Sequence, residues 1–512
     1  MVELTVSRAL ALAAARAGGQ PALYCADRSI AHAALDALAN RIANALLGMG
    51  LARTERVALL LPNGIEYVAA AVACAKAGFC MVTLNYRFTA DEHALQLADS
   101  GAACLIYAER FAAQVLPGAA RIKGLRRICL GAPAPGDAGG FGALLERASA
   151  APPEAAVAEL DLFYLGYTSG TTGRPKGAMV TQRNRALAYH YWALEFGIGR
   201  DDVALHCGPF HHTAPFSFTL AQLSLGGSVA ILEQFDAHAA LRAIERHRVT
   251  WSFMVPFMLE RILALSPAER RRYDLASLRM IISGASMLST RTKEGVLEAF
   301  PGARLHEFYG ATEAGVITNL RPEDQQRKTR CVGRPVFDTE IEIRDENAQP
   351  LPQGEIGDIW LRGPTIFSGY YKAEDKTAEV FRGDWCTIGD VGRVDEEGYL
   401  YLVDRRKDLI KSGGVNVYPV EIEEVLLTDA AVGEVAVIGV PHAVWGEAVH
   451  AVLVPRAGCV IDAAALLARC RSRLAGYKVP KTIEIREALP RNANGKILKR
   501  TLREACAVAN PA

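Results

Sequence analysis

The chain has 512 residues, half of them hydrophobic and 22% charged, with a formal net charge of +1. One hydrophobic core does not serve that length, so two or more domains are expected. The near-neutral balance gives no sign of a nucleic-acid partner, since binding a phosphate backbone needs clustered positive charge and the short basic runs Arg270–Arg272 and Arg405–Lys407 are each followed by an acidic residue. The 11 cysteines stand singly, with no second pair at metal-ligand spacing, the pattern of reduced, mostly buried thiols in a cytoplasmic protein.

Met1 to Gly18 reads as an Ala-rich helix and not a secretory signal, because Glu3 comes early and Arg16 ends the apolar run. Strand and helix patterns then alternate: a strand at Val57–Leu61, a helix at Glu66–Ala77, and strands at Met81–Leu84 and Ala103–Tyr107 around a helix at Ala90–Asp99. This repetition argues for crossover-connected parallel strands flanked by helices. Tyr67 to Leu84 is the longest apolar stretch and contains Lys76, so it reads as core and no membrane span is expected. Gly131 to Pro153, rich in Gly, Ala and Pro, reads as a surface excursion. From Thr339 to Arg406 the texture turns to short strands, at Glu340–Arg344, Glu355–Arg362 and Gly398–Val403. The remainder predicts helices at Pro419–Leu427 and Ala463–Arg473 and strands at Glu434–Val440 and Ala448–Pro455.

Between these regions, the apolar run Asp161–Tyr167 leads into Thr168-Ser169-Gly170-Thr171-Thr172-Gly173-Arg174-Pro175-Lys176-Gly177. Glycines allow tight turning with backbone N–H groups aimed inward, the hydroxyls add donors, and Lys176 adds a point charge. A polyphosphate requires such a set; a flexible Gly/Thr surface loop is the alternative reading. The segment is not a Walker A loop, since Lys176 lies between Pro175 and Gly177, and Ser169 does not sit in a nucleophile elbow.

The string from Tyr167 to Gly177 resembles the signature of the adenylate-forming superfamily, which comprises acyl-CoA synthetases, peptide-synthetase adenylation domains and firefly-type luciferases. Further motifs in the family's order extend the resemblance to Lys496. It implies an α/β fold: a large N-terminal domain of stacked mixed and parallel sheets with flanking helices and a small β-rich subdomain, then a small, mobile α+β C-terminal domain. The implied boundaries are 1–404, a hinge at 405–407 centred on Lys407, and 408–512.

Unaided, Phe308-Tyr309-Gly310-Ala311-Thr312-Glu313 reads as a loop tip, Asp390 as a turn residue, and Arg405 and Lys496 as solvated charges. The resemblance gives them roles. Tyr309, with Gly310 and Thr312 beside it, becomes the adenine platform; Glu313 and Thr168 hold magnesium; Asp390 and Arg405 take the ribose hydroxyls. Lys496 neutralises charge on the acyl carboxylate and α-phosphate. Gly413 and Gly414 with Trp445 line a pantetheine channel, although Trp445 reads equally well as a core residue.

His212, Ala214, Phe216, Phe218, Gly284 and Gly310 correspond to the acyl pocket. Gly310 stands where acetate-specific relatives carry tryptophan, which leaves depth for a larger acid. No Asp lies between His206 and Gln234 to hold an α-ammonium, so an amino acid is disfavoured. A zinc site of His206, His211 and His212 is the competing idea, without a nearby Cys or Glu ligand to complete it. Two positions depart from the family: Gln182, where many members have His, and Ser286-Met287, where Ala-Pro or similar is common.

The implied reaction joins a medium- or long-chain fatty acid or an aryl acid to coenzyme A, through an acyl-AMP made from ATP with Mg2+. The alternative is a stand-alone adenylating enzyme that loads a carrier-protein phosphopantetheine thiol. The expected state is a monomer or homodimer, cytoplasmic, with no nucleic-acid partner.

Overall fold

The computed structural model describes residues 3–168, 176–406, 408–413, 415–442, 444–491 and 497–509. The chain forms two compact units, Met1–Ile341 with Leu361–Cys386 and Glu342–Trp360 with Thr387–Ala512. It passes between them inside the strands Glu340–Arg344, Gly357–Arg362 and Trp385–Val394.

The N-terminal unit contains two large sheets. In the seven-stranded one, Arg126–Leu130, Ala102–Ala108, Arg56–Leu60, Cys80–Thr83 and Leu162–Thr168 lie side by side and parallel. Its last strand, Lys176–Thr181, turns antiparallel. The nine-stranded sheet has a parallel centre, running through Ser228–Ile231, Val203–His206, Trp251–Met254, Met280–Ser283 and Arg304–Ala311. Antiparallel strands close both its edges. Both sheets follow from short apolar runs, which bury on two faces only when helices cover them. The helix Ile65–Ala77 is buried on almost every face, Lys76 included. Lys76 tolerates this because its ammonium meets Asp36 Oδ1 at 2.5 Å.

The segment read as a surface excursion is more ordered than expected. It contains the strand Gly139–Gly140 and the helix Phe141–Arg147, whose Phe141 ring is buried. Eight of the eleven cysteines are buried: Cys74, Cys80, Cys104, Cys129, Cys207, Cys331, Cys386 and Cys470. Among the described residues no helix is long and apolar enough to cross a membrane.

In the C-terminal unit, Val432–His442 and Gly446–Pro455 form a long antiparallel pair, and Thr482–Ile485 adds a parallel strand. Helices Pro419–Leu427 and Ala463–Arg473 have the predicted bounds. Pro419 at the first helical position and the Asp462 cap made them legible. Their apolar faces meet the sheet in a core that includes Ile422, Leu426, Val437, Leu453 and Leu466.

Candidate active site

Thr168 pairs across the ladder with Lys176, so residues 169–175 join two neighbouring antiparallel strands. Ser169, Gly170, Thr171, Thr172 and Gly173 lie outside the described residues, as does the side chain of Thr168. The base of this hairpin is firmly held. The Tyr167 hydroxyl donates to Asp99 Oδ2 at 2.6 Å, and the ring covers Gly177, where a Cβ would come within 3.2 Å of it. Thr181 and Asn184 form the capping box of the following helix, Gln182–Phe196. Gln182 is fully buried, donates to Ala75 O and accepts from Ser7 N. It ties helices together.

The segment Phe308–Glu313 is not a loop tip. The strand Arg304–Ala311 continues through it and returns as the antiparallel strand Gly315–Leu320, so Thr312 and Glu313 sit in a tight turn. Tyr309 and Glu313 are buried. A Cβ at Gly166 would lie 2.2 Å from Thr312 Cγ2, so the Thr312 side chain packs directly on the bare backbone of the neighbouring strand. The Thr312 hydroxyl shares a 3.1 Å hydrogen bond with that of Thr213. Tyr370 donates from its hydroxyl to Glu313 Oε1 at 3.0 Å, while the Lys176 ammonium lies 5.0 Å from the centre of the Tyr370 ring. Phe367 N donates to Glu313 O, and Tyr370 bridges to Ala178, so one short segment laces the Glu313 turn to the hairpin. Gly166, Thr213 and Tyr370 were missed from sequence. Only Gly166 carried a signal, as a glycine inside a strand, where it can mark close packing against the bare backbone.

Gly310 has a different setting from the one expected. A Cβ there would lie 2.3 Å from Gly315 O, so the glycine is needed by the close approach of its own hairpin. Gly284 likewise abuts the Phe308 ring, 2.6 Å from where its Cβ would be.

His212 precedes the helix Thr213–Ser224 and lies tilted against His211, with ring centroids 4.3 Å apart. Burial pushes the His211 imidazole down to about 2 and that of His212 to about 4, with the nearby Arg87 charge adding to both. Both rings are therefore neutral at ordinary pH. Ala214 is half-buried in the helix's first turn, whereas Phe216 and Phe218 turn into the core. Phe216 packs with Tyr67, Phe163 and Phe210; Phe218 packs with Trp192, Phe253 and Phe308. His206 is fully buried edge-on to Trp251. Among the described residues, the one grouping with metal-ligand spacing is His450, Glu484 and Cys506, which excludes the zinc arrangement around His206.

In the C-terminal unit Asp390 and Arg405 are cross-strand partners, with Nε 3.0 Å from Oδ1. Asp390 is buried and Arg405 half-exposed, so the pair holds a buried carboxylate fixed against a partly exposed guanidinium. Gly413 N donates to Trp445 O at 2.8 Å, and Gly413 has the left-handed φ of +61°. Trp445 is 37% exposed, stacked on His442 at 4.3 Å and overlain by the Lys481 ammonium. It is an exposed aromatic shelf and not a core tryptophan. Gly414, Lys407 and Lys496 lie outside the described residues.

One unit of this α/β fold thus brings the hairpin that joins Thr168 to Lys176 against a turn with a buried carboxylate, and the other unit carries a buried carboxylate of its own. Residues 10–371 match the AMP-binding enzyme family and residues 421–496 the AMP-binding enzyme C-terminal domain. The chain is 39% identical over 478 residues to a feruloyl-CoA synthase of Amycolatopsis sp, covering 93% of this chain and 94% of that one. It superposes on the o-succinylbenzoate coenzyme A synthetase of Bacillus subtilis, in complex with ATP and magnesium ion, with a TM-score of 0.87 at 31% identity, over 96% and 98% of the two chains. An amide bond synthetase from Marinactinospora thermotolerans gives a TM-score of 0.89 at 29% identity, over 98% and 99%. The chain belongs to the AMP-binding enzyme family, within the adenylate-forming superfamily and close to the fatty- and aryl-acid CoA ligases. It is an acid–thiol ligase.

Proposed function

We propose that the chain couples an aryl acid, or a medium- to long-chain fatty acid, to coenzyme A through an acyl-AMP. The observation that carries this is the convergence of the hairpin bearing Thr168 and Lys176 on the turn bearing Thr312 and Glu313. In the first step the acid's carboxylate attacks the α-phosphorus of ATP and pyrophosphate leaves. In the second, the CoA thiolate attacks the acyl carbon and AMP leaves. Neither step needs a protein nucleophile; positioning and charge neutralisation carry the reaction.

Loop residues 169–173 and Lys176 hold the phosphates, Tyr309 and Gly310 flank the adenine, and Asp390 with Arg405 takes the ribose. Lys496 offsets charge at the α-phosphate during the first step. The neutral His212 closes the acyl pocket beside Ala214, with no charge to repel or bind a carboxylate. Mg2+ fits Glu313, a buried carboxylate with one oxygen fixed by Tyr370, because this ion takes one or two carboxylates and completes its shell with phosphates and water. Glu313 and Thr168 would hold it, and it would supply charge neutralisation on the phosphates. The C-terminal residues from 408 onward act as the mobile domain, with the hinge at Lys407. The eight buried cysteines suit a cytoplasmic setting.

Two expected outcomes test the assignment. Gly166→Ala should cut acid-dependent pyrophosphate exchange at least about 10-fold, since overpacking costs about 1–3 kcal/mol and here it separates the two strands of the site. An unchanged rate with an unchanged melting temperature contradicts that geometry. Trp445→Ala should raise the KM for CoA by about 10-fold, through loss of the aromatic shelf under the pantetheine arm. If carrier-protein loading falls and CoA turnover does not, the carrier reading replaces the CoA reading.

A further inference from the structure

The helix Ala90–Ser100 ends beside the hairpin, and its last turn contains Asp99 and no basic residue. A carboxylate there faces the negative end of the helix dipole, so its placement works against helix stability. Three cationic contacts offset it. Lys372 Nζ donates to Asp99 O at 2.9 Å, Arg56 Nε to Ser100 O at 2.8 Å, and Arg56 Nη2 to Gly101 O at 2.7 Å. The carboxylate itself accepts from the Tyr167 hydroxyl at 2.6 Å, and the Ser100 hydroxyl lies beside the same oxygen of Tyr167.

Both strands of the hairpin are tied to this helix end. Tyr167 is the last residue before Thr168, pairs across the ladder with Gly177 and lays its ring over it. On the returning strand, Gly177 O accepts from Tyr371 N at 2.9 Å, and Tyr371 is followed by Lys372. The rings of Tyr167 and Tyr371 pack on the core that includes Leu97 and Leu165. Those apolar contacts have no direction, whereas the hydroxyl bond to Asp99 does. We propose that Asp99 and Tyr167 are positioning residues for the adenylation step. The Tyr167 hydroxyl, held by Asp99, fixes the ends of the phosphate loop, Thr168 and Lys176, against each other and so sets where the phosphates of ATP are held. A site of this kind works only when its groups stay within about 0.5 Å of their places. Resting on the adenylation reading above, the assignment deepens it with a selective demand. The loop's ends matter while ATP and pyrophosphate are bound, and cease to matter once the acyl-AMP has formed.

The test measures the two half-reactions of the full chain separately, with the best acid of an aryl and fatty panel. One assay follows acid-dependent pyrophosphate exchange over a range of MgATP; the other follows CoA-dependent AMP release from that acid's acyl-adenylate, supplied ready-made. In Tyr167→Phe, kcat/KM for MgATP should fall about 10-fold, the size expected for one hydrogen bond to a charged acceptor. The KM for the acid and the rate of AMP release should stay as they are. Asp99→Ala should show the same split, and the double variant should be no worse than either single one, because both remove one shared contact. Asp99→Asn keeps an acceptor oxygen and should recover most of the exchange. Unchanged exchange in Tyr167→Phe overturns the proposal. Equal losses in both half-reactions overturn it too, since general loosening of the unit gives that result. So does a loss in Tyr167→Phe that Asp99→Ala does not share. Failure of the adenylation reading looks different: the unaltered enzyme then shows no exchange with any acid.

Discussion

Glu313→Gln should lower acid-dependent pyrophosphate exchange by about 10²–10³-fold, the loss typical when one electrostatic group aimed at developing charge is removed. Glutamine keeps the shape of the side chain, and its amide oxygen still accepts from the Tyr370 hydroxyl now 3.0 Å from Oε1. The buried turn should therefore survive, and what is lost is the negative charge that suits a hard cation. Tyr370→Phe separates positioning from charge. It leaves the carboxylate in place but removes its hydrogen bond, so exchange should fall by a smaller factor, about 10–100-fold, with a raised half-saturating Mg2+ concentration. Equal activity of Tyr370→Phe and the unaltered enzyme across a Mg2+ titration would contradict the ordering role of Tyr370.

Mild acid should unfold the N-terminal unit. Burial depresses five of its imidazoles from the usual 6.5: His93, His212 and His306 to about 4, His206 to about 3, and His211 to about 2. The folded state keeps these rings neutral, whereas the unfolded chain protonates them as pH falls through about 6.5. Their contribution to stability is thus complete above that pH and is lost progressively toward the folded values. Each ring costs about 1.4 kcal/mol per pH unit inside the window. Between pH 7 and 5 the melting temperature should fall steeply, and unfolding should take up several protons. His206→Phe tests the count, because both His206 ring nitrogens lack a partner and the ring packs edge-on to Trp251. One proton fewer is expected. A melting temperature that stays level from pH 7 to 5 contradicts this account.

The parts of the site legible in sequence were those written in one continuous stretch. The string from Thr168 to Gly177 combines turn, donor and charge at fixed spacing, so it could be read locally, whereas the returning strand Lys176–Thr181 was not read. The contacts that fix Glu313 could not. Tyr370 is 57 residues away in sequence and carries no motif. It matters because its segment returns to pair with the strand Lys176–Thr181. Gly310 carries a demand that sequence did not show, because its would-be Cβ lies 2.3 Å from Gly315 O. Trp445 was ambiguous because a tryptophan packs equally well in a core or on a surface, and only its exposure beside His442 and Lys481 decided the matter.

The central claim is acid activation by adenylate transfer followed by thioester formation. The most direct measurement is a panel of aryl and fatty acids assayed twice, for acid-dependent pyrophosphate exchange without CoA and for CoA-dependent AMP release. The account predicts that the same acids score in both assays and that amino acids score in neither. Exchange without CoA-dependent AMP release for any acid would contradict it.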